Sequence, residues 1–286
     1  MPELPEVETV RQGLSPVFEG AVLTKVATAR PDLRFPFPDN FAARLTGARV
    51  ETFGRRGKYL IAGLSTNESL IMHLGMSGRF TIDEGDVHKP GEFAQAQACD
   101  PRHDHVVFEC AGPRPGRVTY NDPRRFGFMD LVDTAEVETC RHFLDMGPEP
   151  LGNGFAADAF CASLKTRAAP IKAALLDQCV VAGLGNIYVC EALYRARISP
   201  RRRARSVAGL RSERLHRAIL EVLNDAIRAG GSSLKDFASA NGGLGYFQHR
   251  FDVYDREGEA CRQCGAQINR IVQSGRSTFF CPACQR

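Results

Sequence analysis

Four cysteines at the C-terminus constrain this chain more than any other feature. Cys261-x2-Cys264 is followed by sixteen residues and then by Cys281-x2-Cys284. Each CxxC turn brings two thiolates together, and four thiolates complete the tetrahedral shell that zinc prefers. The spacing predicts one structural zinc, with the chain between the two pairs folded as a hairpin. A shell filled by four sulfurs leaves no open position, so this metal is expected to hold structure and not to do chemistry. Two disulfides are the competing reading, but disulfide frameworks belong to small secreted domains. This chain has 286 residues and opens MPELPEVETV, with Glu3, Glu6 and Glu8 where a signal peptide carries positive charge and then an apolar core. The remaining cysteines, Cys99, Cys110, Cys140, Cys161, Cys179 and Cys190, are scattered singly and read as reduced thiols.

At ~100–200 residues per domain, the length suits two domains and a small third module. Hydrophobic residues are 43% and charged residues 24%, which excludes a disordered or collagen-like chain. No apolar run approaches the ~18 residues of a membrane helix. Residues 5–14 read as a short helix, with Pro5 in the first turn and Gly13 near the end. From about 20 to 132, short apolar runs alternate with Gly, Pro, Asn and Asp clusters; Lys58–Leu64, Ser69–Leu74, His105–Cys110 and Arg117–Tyr120 are examples. That pattern belongs to a β-sandwich or barrel. Residues 83–102 are polar and unpatterned, the signature of a long loop, and MGPEPLGNG (146–154) reads as a linker. Helical spacing then appears over 156–166, 170–178, 186–196 and 207–229, the last with Leu215, Ile219, Leu220, Leu223 and Ile227 as a buried stripe. A β half followed by a helical half argues for two domains in an α+β chain.

Net charge is only +4, but its distribution is uneven. Arg195–Arg228 holds ten arginines against Glu213, Glu221 and Asp225. Such a stretch suits a polyanion, because neutralising phosphates releases counterions; a solvated helix face explains the same charge. Arg270 and Arg276 in the cysteine hairpin are either phosphate contacts or surface cations. Between two helical stretches, Gly183 and Gly185 allow a tight turn and Asn186 suits an N-cap. Free N–H groups at such a helix start can bind phosphate, although an ordinary helical hairpin needs the same residues. At the N-terminus, removal of Met1 would leave Pro2 with a secondary amine. An α-amino group titrates near ~8, against ~10.4 for lysine, so far more of it is free base at neutral pH. Such an amine can form a Schiff base with a sugar aldehyde carbon. Glu3 beside it could donate a proton if burial or Glu6 raises its pKa. An acidic first helical turn that favours the macrodipole is the plainer explanation.

The N-terminal segment MPELPEVETVRQGL closely resembles bacterial formamidopyrimidine-DNA glycosylases. GRRGKYL (54–60), IMHLGMSG (71–78), HDHV (103–106), NDPRRFG (121–127) and MGPEPL (146–151) fit that family in order. So do AGLGNIY (182–188), GGSSLKDF (230–237), GYFQ (245–248), VYDREGEACRQCG (253–265) and the final SGRSTFFCPACQ. The likeness spans essentially the whole chain. It departs in the 83–102 segment and at Met146, where the family often has Leu.

The resemblance implies a fold: an N-terminal antiparallel β-sandwich with flanking helices (1–147), a helix–two turns–helix domain (148–244) and a zinc β-hairpin finger (245–286), with DNA in a basic cleft. It implies a bifunctional glycosylase and AP lyase removing 8-oxoguanine and formamidopyrimidines, then β,δ-elimination. Pro2 would attack C1′, Glu3 would act as general acid with Glu6 supporting it, and Lys58 would assist proton transfer. Met76, Arg124 and Phe126 would fill the gap left by the extruded base, with Arg124 reading the orphaned cytosine. His103, Arg125, Arg167, Asn186 and Arg276 would hold phosphates, Arg276 also assisting the final elimination. The glycine-rich 241–247 stretch resembles a loop that closes over the flipped base. Implied too are a monomer acting on double-stranded DNA with oxidised purines or abasic sites, a cytoplasmic, nucleoid-associated location, no membrane partner, and one structural Zn2+. Two rivals stay open: an endonuclease VIII-type enzyme for oxidised pyrimidines, and a DNA-damage-binding protein without catalysis.

Overall fold

A computed structural model describes residues 2–83, 100–232 and 245–286. Most of the 83–102 segment, residues 233–237 of the GGSSLKDF motif and residues 241–244 of the glycine-rich stretch lie outside the described residues. The chain divides into two compact units: Met1–Leu144 with Ala229–Tyr246, and Asp145–Arg228 with Phe247–Arg286. The sequence reading instead cuts after 147 and 244, and it leaves 229–244 with the helices.

The first unit opens with helix α1 (Leu4–Phe18). It runs on past Gly13, where the sequence suggested an end. Val7, Val10, Leu14, Val17 and Phe18 are all buried on one stripe, and that burial carries the helix to Glu19, after which Gly20 turns the chain at φ +76°. Strands β1 (Val22–Thr28), β2 (Val50–Arg56), β3 (Tyr59–Leu64), β4 (Glu68–His73), β5 (Arg79–Asp83), β6 (Asp104–Ala111), β7 (Gly116–Asn121) and β8 (Phe128–Asp133) follow, with the short helix α2 (Phe41–Leu45) after β1. They form two antiparallel sheets, in the orders β1-β6-β7-β5 and β2-β3-β4-β8. This is the sandwich expected from the alternating runs. In β3, for instance, Leu60, Ala62 and Leu64 all turn to the core. Phe18 locks the layers together, stacked 5.2 Å from Phe53 of one sheet and edge-on at 5.6 Å to Phe108 of the other.

The second unit holds α3 (Ala157–Lys165), α4 (Ile171–Leu176), α5 (Asn186–Arg195), α6 (Leu210–Arg228) and the antiparallel hairpin β9 (Asn269–Gln273) and β10 (Arg276–Phe280). The buried stripe of α6 is Leu215, Ala218, Ile219, Val222, Leu223 and Ala226. Leu220 and Ile227, placed in that stripe from sequence, are only half-buried, because each lies about a quarter-turn off the 3.6-residue row. The 146–154 segment is docked and not a free linker: Gly147 N–H donates to Gln178 O (2.8 Å) and Ala182 N–H to Pro148 O (3.0 Å). No helix of the described residues is long and apolar enough to cross a membrane.

Candidate functional site

Glu3 is the N-cap of α1 and Glu6 its third residue, and the two form a capping box. One Glu6 oxygen accepts the Glu3 backbone N–H at 2.9 Å. The other accepts both the N–H and the hydroxyl of Ser232, each at 2.9 Å. Glu6 is thus a clamp between the chain start and a segment 226 residues away. Gly231, at φ +79°, permits that approach, since a Cβ there would lie 3.2 Å from Glu6 Oε1. Pro2, Glu3 and Glu6 are all buried. Lys58 occupies the two-residue turn between β2 and β3, where Gly57 supplies the positive φ of +57°. It is only 8% exposed. Arg55 ties this turn to α1 by donating to Glu8 Oε2 (3.0 Å) and to Gly57 O (2.9 Å). Burial alone would raise the Glu8 carboxyl, but hydrogen bonds from Arg11 and Arg55 hold it below its usual range.

A second cluster forms where β4 and β8 leave their sheet side by side. The 74–78 and 122–127 loops interlock: a Cβ on Gly75 would come within 2.3 Å of Gly127 N. Asp122 builds the second loop. It is fully buried, and its oxygens accept from Ser77 Oγ (2.6 Å), Gly127 N–H (2.9 Å), Arg124 N–H and Tyr120 OH (both 3.3 Å). Pro123 follows it and Arg125 takes φ +54°, so Arg124, Arg125 and Phe126 project as exposed side chains from a braced turn. Arg124 lies over the Phe126 ring, 4.8 Å from its centroid. A pocket of about 560 Å³ opens beside them, lined by His73, Met76, Arg124, Arg125, Phe126 and Arg34. His73 Nδ1 accepts the Gly75 N–H at 3.0 Å. Burial first, then the charges of Lys58, Arg34 and His142, push its pKa down to about 4, so it stays neutral and keeps that acceptor. His103 joins through its backbone, its carbonyl accepting Asp122 N–H at 3.0 Å.

Asp122→Asn is expected to destabilise the protein by ~1–3 kcal/mol, because an amide must present N–H to at least one donor. The thermal melting temperature should fall accordingly. An unchanged melt would show that the carboxylate does not brace the loop.

In the second unit three elements meet at the β9–β10 hairpin. Buried Lys172 of α4 donates to Ser277 O (2.9 Å) and Thr278 Oγ1 (2.6 Å). Asn186 Nδ2 donates to the same Ser277 carbonyl at 2.9 Å. Asn186 is therefore the first residue of α5 and a tie to the hairpin; the N-cap expected at this position is Gly185. Ser274 and Gly275, at φ +50° and +71°, make the two-residue hairpin turn that places Arg276 next to these ties. Arg167 stands apart, bonded to Asp177 at 2.8 Å.

The four finger sulfurs all lie within 4.8 Å of one another, with 3.9 Å between Cys261 and Cys284 and 3.5 Å between Cys264 and Cys281. A tetrahedron of sulfurs ~2.3 Å from zinc has edges of about 3.8 Å, so the donor set fits one closed site. Glu191, wholly buried in α5, accepts the N–H groups of Asp252, Val253 and Tyr254 at 2.8–3.0 Å and straps the finger to the helix.

Sequence reasoning missed His73, Asp122, Lys172, Glu191 and Ser232. Asp122 had a signal, since Asp-Pro is a turn start. Lys172 had one too, a lone lysine in the apolar run Ile171–Leu176.

Three family models cover the chain: the formamidopyrimidine-DNA glycosylase N-terminal domain over residues 1–129, the H2TH domain of the same enzymes over 146–238, and the zinc finger found in FPG and IleRS over 258–286. The finger match and the sulfur cluster together give one structural zinc. A curated formamidopyrimidine-DNA glycosylase from Ruegeria pomeroyi is 56% identical over 288 residues, covering 100% of both chains. Among solved structures, a variant of Lactococcus lactis FPG bound to Fapy-dG-containing DNA superposes with a TM-score of 0.86 at 36% identity, covering 100% of both chains. Lactococcus lactis Fpg with abasic-site DNA gives 0.85 at 36% identity, covering 99% of each. With full-length relatives above half identity and its motifs in place, the chain belongs to the formamidopyrimidine-DNA glycosylase family.

Proposed function

We propose that this chain is a DNA glycosylase and AP lyase of base excision repair, and that it removes oxidised purines from duplex DNA through a Schiff base on Pro2. The observation that carries the mechanism is the clamp at the chain start. Glu6 fixes the Glu3 backbone, and so holds buried Pro2 beside a buried carboxyl group. The Pro2 nitrogen bonds to C1′ as the bond to the base breaks, and the base departs with a proton. Glu3 protonates the sugar ring oxygen as the ring opens, leaving an iminium with no N–H to lose. That cation withdraws electrons while a C2′ proton leaves and the 3′ phosphate departs. A second elimination releases the 5′ phosphate; Lys58 assists the proton transfers and Arg276 the final elimination. The zinc holds the finger and takes no step. Fapy-dG and an abasic site, the DNA features in the two Lactococcus lactis complexes, are the substrate and the intermediate of this sequence. The enzyme works on chromosomal DNA, in the cytoplasm at the nucleoid.

Strand nicking across a lesion panel tests this. Duplexes with 8-oxoguanine or formamidopyrimidine should be cut well ahead of thymine glycol, best opposite cytosine. Arg124→Ala should narrow the advantage of cytosine by a contact worth ~1–3 kcal/mol. Preference for thymine glycol would make this an endonuclease VIII-type enzyme, and tight binding without nicking would make it a binder.

A further inference from the structure

We propose that Arg34 is a further DNA contact of the pocket beside Phe126. It holds a backbone phosphate of the undamaged strand, next to the base that Arg124 reads. The inference rests on the function proposed above and concerns a residue outside the motifs that suggested it.

The 29–37 segment is built to present this side chain. Leu33 is buried and donates its N–H to Phe35 O (3.0 Å), and Phe37 N–H donates to Pro31 O (3.0 Å), closing a tight loop. Arg34 N–H donates to Gly127 O at 3.1 Å, which fastens that loop to the residue after Phe126. Phe35 packs edge-on to Phe128 at 5.4 Å, and the Arg34 guanidinium lies 5.3 Å from the Phe35 ring centroid. Arg34 and Arg124 thus repeat one device from two chain segments: an arginine resting on an aromatic ring at the rim of one pocket. A ring beneath the guanidinium restricts its rotamers, so less freedom is lost when it takes a ligand.

Its charge is also available. Neighbouring Arg30 is paired with Asp32 at 2.7 Å, whereas among the described residues no carboxylate pairs with Arg34. His73, which lines the same pocket, is neutral and competes for no anion. The base facing Arg124 is uncharged and needs one fork of donors. The second cation then meets an anion only if the phosphate of that nucleotide reaches the pocket, and a planar guanidinium fits phosphate well.

The test measures affinity against salt for a duplex holding a stable abasic analogue opposite cytosine, with wild-type nicking of 8-oxoguanine DNA as the control on function. If the wild type does not nick, the functional reading fails, and Arg34 is then judged on binding alone. Arg34→Ala should lower the log–log salt slope by ~0.9, so that a fourfold rise in salt costs it about threefold less affinity than wild type. Arg34→Lys should restore the slope, and opposite-base preference should stay unchanged in both variants. A methylphosphonate at the phosphates beside the opposite base should remove the same slope increment from wild type and none from Arg34→Ala. A wild-type slope in Arg34→Ala would overturn the contact. Fully additive losses would overturn the strand assignment, and a collapsed opposite-base preference would make Arg34 a base reader. Arg34 is exposed, so a matching melt should accompany every variant.

Discussion

A chain that keeps Met1, or carries an N-terminal tag, should bind lesion DNA and fail to cut it. Three facts converge on that result. Pro2 is the first residue once Met1 is removed, and its secondary amine can form only an iminium with C1′. Any residue left on that nitrogen turns the amine into an amide, whose lone pair is delocalised and cannot attack C1′. The proposed phosphate contacts lie elsewhere, at His103 and Arg125 in the first unit and at Arg167, Asn186 and Arg276 in the other. Blocking the amine therefore removes chemistry and leaves affinity. In the wild type, borohydride should trap a covalent protein–DNA adduct, and peptide mapping should place it on residue 2 of a chain lacking Met1. Glu3→Gln should bind normally while excision falls ~10²–10⁴-fold, the usual worth of a positioned proton donor. Glu6→Gln should slow trapping as well, because an amide cannot accept from Glu3 N–H and both Ser232 donors at once. Full activity with a blocked terminus, or an adduct mapped to Lys58 alone, would make lysine the nucleophile.

Much of this molecule is written in short-range pattern. The CxxC pairs announce the finger, and short apolar runs between Gly, Pro, Asn and Asp clusters announce β3, β4, β6 and β7, with burial of one face of β3 leaving a trace every second residue. The end of α1 was misread for a related reason. Gly13 is a local stop signal, but Leu14, Val17 and Phe18 extend the buried stripe, and packing outweighs a propensity penalty of about 1 kcal/mol. What pattern cannot show is a hydrogen bond between distant residues. Ser232 meets Glu6 across 226 positions and Lys172 meets Ser277 across 105, and neither pairing has a period, a cap or a turn to betray it. Asp122 is the intermediate case. Its turn and its bond to Tyr120, two residues away, are local, but its bond to Ser77 depends on the β5–β7 register that sets Arg79 opposite Asn121. The residues that would touch DNA were therefore more legible than the residues that hold them in place.

Loss of zinc should disorder the finger, abolish tight DNA binding and leave the β-sandwich folded. The finger's own core is small: Val253, Ile268 and Phe279 share it with Cys261 and Cys281, and with Cys190 and Tyr194 of α5. In residues 258–286 only Ile268, Phe279 and Phe280 are buried apolar side chains besides the cysteines, too few to offset the entropy of ordering the segment, whereas four thiolates on zinc supply ~10–16 kcal/mol of apparent binding energy at neutral pH. Cys264→Ala removes one sulfur from the exposed side of the cluster and opens the shell. The surrounding ties predict how far the damage spreads. Glu191 still holds residues 252–254, and Lys172 and Asn186 still reach for Ser277. Hydrogen exchange should therefore rise over 258–286, with α5 and the sandwich still protected. Arg276 sits next to Ser277, but the sulfur-independent ties hold only that carbonyl, so the hairpin turn that aims the Arg276 side chain should be lost with the metal. Metal analysis should give one zinc per wild-type chain and none for the variant. Pure, active wild type without zinc, or wild-type affinity in Cys264→Ala, would show that packing on α5 alone is enough to set the hairpin.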